Sequence, residues 1–339
     1  MTHPTRAVFL CLAFALGGCV HAPPTVRARG PLVSLLALTL PDPVGTRPLH
    51  AAVFAPPLNP VEGDSLWIGP YAIQAREDLP IAPGRHPLVV LSHGHAGSRW
   101  GHHDLAVALA QEGYIVAAVE HAGDSWDDQS AFRSDRSLIG RPYQVSAVID
   151  AVLADPRLGP LVDRSRIGVA GFSAGGYTAL ALVGAIPDFF RVAGYCQRHP
   201  RDPEICGGPF RHELELHKPL ADPRIRAAFL MAPLAIFFGP DAFEGVHAPV
   251  FLASAQKDSV LLPAENANVV LDALGGRLLL ANEIPRAEHG VFLAPCSDEL
   301  KAHVPLCLDP PGVDRAAIHA QLQGELSAFF STALSLRDE

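Results

Sequence analysis

The residues that could do chemistry start at "GFSAG", Gly171 to Gly175. A serine hydroxyl is a poor nucleophile until a base takes its proton, and that base needs an acid to orient it. Ser173 lies between an apolar run, "RIGVAGF", and an alanine-rich run, "AGGYTALALVG", which together read as strand, turn and helix. Gly171 and Gly175 would relieve side-chain contacts in so sharp a turn, and Gly176 would permit close packing after it. The helix start adds unpaired N–H groups and positive potential. The pattern therefore points to a turn built to hold a reactive hydroxyl.

An acid and a base follow in the order serine, carboxylate, histidine. Asp258, in "PVFLASAQKDSVLLP", comes just past a buried strand, on the same sheet edge as Ser173. Asp241 and Glu265 compete less well, because neither directly follows a strand. His289, in "IPRAEHGVFL", follows the last strand; His303 falls in a loop excursion and His319 in the terminal helix. The developing oxyanion needs two donors. One is the backbone N–H of Ala174, and the other comes from "SHGHAGSRW", where position favours His95 over Ala96. The imidazoles of His93, His95, His102 and His103, or of His199, His212 and His303 near cysteines, raise a metal reading. The triad accounts for the first set without a metal, and no tight Cys-x-x-Cys element supports the second, so no metal is expected.

These residues need a scaffold. At 339 residues, 49% hydrophobic, the chain can bury a large core, and a net charge of −9 without a basic run argues against nucleic acid as a partner. From about residue 48, apolar runs such as "HPLVVLSHG" and "YIVAAVEH" alternate with helical patterns such as "DLAVALAQEG" and "RPYQVSAVIDAVLADP", where Pro142 suits a first helical turn. Alternating β and α elements predict a mostly parallel sheet covered by helices, with antiparallel edge strands from 32–55. Residues 187–221 and 290–313 read as insertions into a single catalytic domain spanning 32–339, and long loops in such a domain are usually functional.

The amino end sets the compartment. Arg6 precedes an apolar run, Ala7 to Leu16, that is too short to span a bilayer, and the run closes on Leu16-Gly17-Gly18-Cys19. This resembles the lipobox of bacterial lipoproteins. The resemblance implies a signal peptide over 1–18, a lipidated Cys19, a tether over 19–31 and an envelope location, with the outer membrane favoured because Val20 is not Asp. Export permits disulfides. Of the three pairings open to the remaining four cysteines, the short-range set, Cys196–Cys206 and Cys296–Cys307, places each bridge in a loop-like segment.

Taken in order, "PLVVLSHGHAGSRW", "EHAGDSW", "GVAGFSAGGYTALAL", "DPRIRAAFLMAP", "KDSVLLP" and "EHGVF" resemble an α/β-hydrolase, in the dienelactone-hydrolase-like and platelet-activating-factor-acetylhydrolase-like branch. The resemblance covers roughly residues 48–335. It implies a cofactor-free serine ester hydrolase, with a peptidase or amidase of the same fold as the alternative. The short, charged first insertion points to small soluble esters rather than long-chain lipid esters. True dienelactone hydrolases use cysteine where this chain has Ser173, and the family often has Asp where this chain has Glu120. Phe189, Phe190, Tyr195, Ile205 and Phe210 of the first insertion are expected to wall a small acyl pocket. Its Arg191, Arg198, Arg201, Arg211 and Lys218 are expected to surround the leaving group.

Overall fold

Nine strands form the central sheet of the computed structural model, which describes residues 29–214 and 218–335. They are Val33–Leu40 (β1), Leu49–Ala55 (β2), Ala75–Glu77 (β3), His86–Ser92 (β4), Ile115–Glu120 (β5), Val162–Phe172 (β6), Ile225–Met231 (β7), Val250–Ala255 (β8) and Leu278–Ile284 (β9). Their order is β9-β8-β7-β6-β4-β5-β2-β1-β3, and only β2 runs against the others. Residues 1–18, expected above to be a signal peptide, and Cys19 lie outside the described residues.

The strands form where they do because their apolar runs can be buried on both faces. Along β4, Leu88 and Val90 enter one core while Val89 and Leu91 enter the other, all almost fully buried. The first core is closed by helices Asp135–Ala154 (α2), Ala174–Leu182 (α3) and Ala267–Leu274 (α4); the second by His103–Gln111 (α1) and Arg315–Ala333 (α5). Each aliphatic side chain so buried contributes about 1.5–3 kcal/mol relative to exposure.

Two boundaries differ from the sequence reading. Arg29–Pro31, expected in the tether, pairs antiparallel with Glu62–Asp64, because Leu32 and Val33 bury and pull the preceding residues onto the fold. Helix α2 begins at Asp135, so Pro142 stands inside it rather than in its first turn. Burial of Leu138, Ile139 and Arg141 on the added turns offsets the backbone bond that proline cannot make.

The two insertions hold short helices: Arg191–Arg198 and Pro203–Cys206 in the first, Asp298–His303 in the second. Disulfides join Cys196 to Cys206 and Cys296 to Cys307, across sequence separations of 10 and 11. Loops of that length restrict the unfolded chain enough for about 2–3 kcal/mol each. Replacing either pair with serines should lower stability by that amount in urea denaturation. Unchanged midpoints for both variants would contradict the role given to the bridges.

Candidate active site

Sheet register brings the serine to its partners. Gly171 of β6 pairs with Ser92 of β4, so two residues on from that pair Ser173 stands beside Gly94. A Cβ built on Gly94 would lie 3.1 Å from that of Ser173. The chain order reverses here, since β5 lies on one side of β4 and β6 on the other, and such switch points open a crevice at the carboxyl edge.

Ser173 holds φ +57° and ψ −118°, a conformation that side chains rarely adopt. Glycines make room for it. A Cβ on Gly171 would stand 2.0 Å from the Gly175 carbonyl oxygen, and one on Gly175 would stand 1.9 Å from that of Ser92. One on Gly176 would strike the Pro233 backbone at 2.6 Å. Among the described residues, neither the His95 nor the Ala174 N–H donates to a backbone carbonyl.

The acid and the base arrive from the same edge. Asp258 lies three residues past β8, and its Oδ1 accepts from the N–H groups of Val260 at 3.0 Å and Leu261 at 2.7 Å. Its Oδ2 accepts from His289 Nδ1 at 2.7 Å, which leaves Nε2 unprotonated in the neutral ring. Both side chains are buried, and the Phe172 ring packs against the imidazole at 4.7 Å. Glu288 locks the two loops together, its carboxylate accepting from the Ser259 hydroxyl and N–H.

The rivals are engaged elsewhere. Glu265 pairs with Arg198 and His199, and His319 bonds Asp104 and the Val291 carbonyl. Asp241 lies in a short turn and His303 at an exposed helix end. Among the described residues no group of three or more His, Cys, Asp or Glu side chains is placed to hold a metal.

Ser173 and His289 line one cavity of about 490 Å³, together with His95 and Ala174. Phe132, Phe172, Phe210 and Phe237 make its walls largely apolar, with Ile205 from the first insertion and Pro305 and Leu306 from the second. The expected pocket residues divide. Ile205 and Phe210 line the cavity, and Phe189 stacks behind Phe210. Tyr195 is buried with its hydroxyl on Asp202, and Phe190 faces solvent. None of the insertion's named cations lines the cavity: Arg198 is held by Glu265 and Arg211 by Glu213, because acidic neighbours capture them. Arg133 lines it instead, its guanidinium donating to the carbonyls of Pro203 and Glu204.

Sequence reasoning missed the most buried charge of the site. Arg141, with no exposed side-chain surface, donates from Nε to Asp124 Oδ2 at 2.7 Å, and from Nη1 to the His93 carbonyl at 2.7 Å. Asp124 also accepts from Ser137 and is hydrogen-bonded to His95 Nδ1. A usable signal was present, since Arg141 lies on one helical face with Val145, Val148 and Val152. Glu120 has a structural task here: it accepts from the Arg99 N–H and guanidinium and from the Trp126 indole.

Two partial matches to family models overlap this region: the prolyl oligopeptidase family over residues 102–195, and platelet-activating factor acetylhydrolase, isoform II, over 64–137. Among solved structures, a ferulic acid esterase from Streptomyces cinnamoneus superposes with a TM-score of 0.60 at 24% identity, covering 94% of each chain. The chain has the α/β-hydrolase fold. A dienelactone hydrolase-like promiscuous phosphotriesterase from metagenomic libraries superposes with a TM-score of 0.51 at 15% identity, covering 88% of this chain and 98% of its own.

Buried imidazoles behind this site make the stability of the fold depend on pH. Burial, with the Arg141 charge adding to it, pushes His93 down to about 3, and burial pushes His102 down to about 4. Burial alone would raise the Asp124 carboxyl, but Arg141 and the His95 hydrogen bond hold it far below the usual carboxylate range. Each depressed histidine stays neutral when folded and protonates near pH 6.5 when unfolded. Their contribution is therefore complete above about pH 6.5 and falls as the pH drops toward 4. At pH 5 the loss should be about 2 kcal/mol per histidine. Urea midpoints at pH 7.5 and pH 5 test this; equal midpoints would contradict it.

Proposed function

We propose that the chain hydrolyses carboxylic esters through an acyl-enzyme on Ser173. One observation carries the reading: His289, oriented by Asp258, opens onto the same cavity as a serine held at positive φ. His289 Nε2 takes the Ser173 proton as Oγ attacks the ester carbonyl, and the oxyanion settles on the amides of Ala174 and the loop after β4. The imidazolium returns the proton to the leaving alkoxide. Water, activated by the same imidazole, then releases the acid and frees Ser173.

A cavity of about 490 Å³ with aromatic walls favours small acyl groups over long chains. Each additional buried CH₂ would gain about 0.8 kcal/mol only where there is room for it. A peptidase is the second reading, favoured by the prolyl oligopeptidase match over residues 102–195. Lipidation at Cys19 would place the enzyme on an envelope membrane, and the intact mass of protein purified from membranes checks this. An unmodified amino terminus beyond Cys19 would exclude it.

Ser173→Ala and His289→Ala should each lower kcat for p-nitrophenyl butyrate by about 10⁴-fold or more, with the fold retained. Near-normal turnover by either would remove that residue from the mechanism. Across acetate, butyrate, octanoate and palmitate esters, kcat/KM should peak at the short chains. A maximum at palmitate would reverse the substrate assignment, and faster cleavage of peptide anilides would favour the peptidase.

A further inference from the structure

We propose that Arg141, braced by Asp124, is a positioning residue that aims the His95 N–H into the oxyanion hole, so that His95 rather than Ala96 is the second donor. The inference rests on the acyl-transfer reading above and goes beyond it by naming what orients the hole.

The argument is one of peptide geometry. In a trans peptide the carbonyl of one residue and the N–H of the next point to opposite sides, and no cis peptide occurs among the described residues. The Gly94 carbonyl is fixed by three donors: Arg141 Nη2 at 3.0 Å, His93 Nδ1 at 2.6 Å and the Gly97 N–H at 3.2 Å. The His95 N–H belongs to the same peptide and leaves on the opposite side. It donates to no backbone carbonyl among the described residues, and Gly94 and His95 both line the cavity with Ser173. The next peptide, which carries the Ala96 N–H, lacks such an anchor, since nothing among the described residues donates to the His95 carbonyl.

The guanidinium suits this task. Its planar fork reaches two consecutive carbonyls, those of His93 and Gly94, and so fixes two peptide planes at once. A lysine ammonium would reach the same place as a single point. Asp124 grips the assembly from both ends, with Oδ2 on Arg141 Nε and Oδ1 bonded to the His95 ring. A buried ion pair adds little net stability over a well-packed apolar replacement. The orientation it imposes on the loop accounts for its presence better than stabilisation does.

The test uses Arg141→Lys and Asp124→Asn in the full chain, with Ser173→Ala as the control, on p-nitrophenyl butyrate. Circular dichroism and urea midpoints identify folded variants. The expected result is a kcat lower by about 10²-fold for Arg141→Lys and about tenfold or more for Asp124→Asn, with KM within about threefold of the parent. The inhibition constant of an alkylboronic acid, whose adduct on Ser173 places an oxygen in the hole, should rise in step. Where Arg141→Lys does not fold, the nearly isosteric Asp124→Asn decides. Folded variants with parental kcat, or with losses confined to KM, would overturn this proposal and leave the hydrolase reading standing. A parent chain without Ser173-dependent turnover would overturn both.

Discussion

Gly175 lies so close to the end of β4 that the whole site depends on its having no side chain. Any Cβ there would meet the Ser92 carbonyl oxygen at 1.9 Å. This approach sets the first turn of α3 over the strand end, which brings three things to one point. They are a serine forced to positive φ, a helix-start amide, and the glycine-rich loop that follows Ser92. Asp258 and His289 reach the same place because parallel strands present their carboxyl ends on one edge. Separating α3 from β4 would pull Ser173 and the Ala174 amide away from the loop after Ser92, even with every polar residue retained.

Two histidine–carboxylate pairs face this cavity, and electrostatics distinguishes them. The Asp258 carboxylate is held by two backbone amides and the His289 ring, and its charge is not compensated by any side-chain cation of Arg or Lys among the described residues. The Asp124 carboxylate is already compensated by the buried Arg141. The His95–Asp124 pair belongs to a charge-compensated cluster, which fits holding the geometry of the loop after β4. The same accounting explains why Asp124 stays ionised in a setting that burial alone would make hostile to charge.

The parts of this arrangement legible in the sequence are those encoded locally. Apolar runs such as Leu88–Leu91 show a strand buried on two faces, and a residue just beyond such a run must fall at the sheet edge, as Ser173 and Asp258 do. Long-range pairing hid the rest. Arg29–Pro31 look like a linker until Glu62–Asp64 lies beside them, and the early start of α2 depends on contacts made by its first two turns. Charge was the hardest to read. The arginines of the first insertion suggested an electropositive rim, but a sequence counts charges without showing that Glu265 and Glu213 have captured two of them. Arg141 escaped for the converse reason: its partners, two carbonyls and Asp124, are far from it in the chain.

Both insertions are cross-linked next to residues that form the cavity wall. Ile205 adjoins Cys206 and Leu306 adjoins Cys307, so each bridge pins the wall rather than a distant loop tip. The second is tied further to the segment that carries His289. The Leu306 carbonyl takes a hydrogen bond from Arg315 at 2.7 Å and lies where a Cβ on Gly290 would stand, 1.9 Å from its oxygen. Gly290 follows His289 directly. A displacement of this wall would therefore be felt at the imidazole within one residue. An enzyme that opened a broad flap for long acyl chains would need its wall to move independently of its base. Here the cross-links and the Gly290 contact couple the two, which suits a cavity of fixed size.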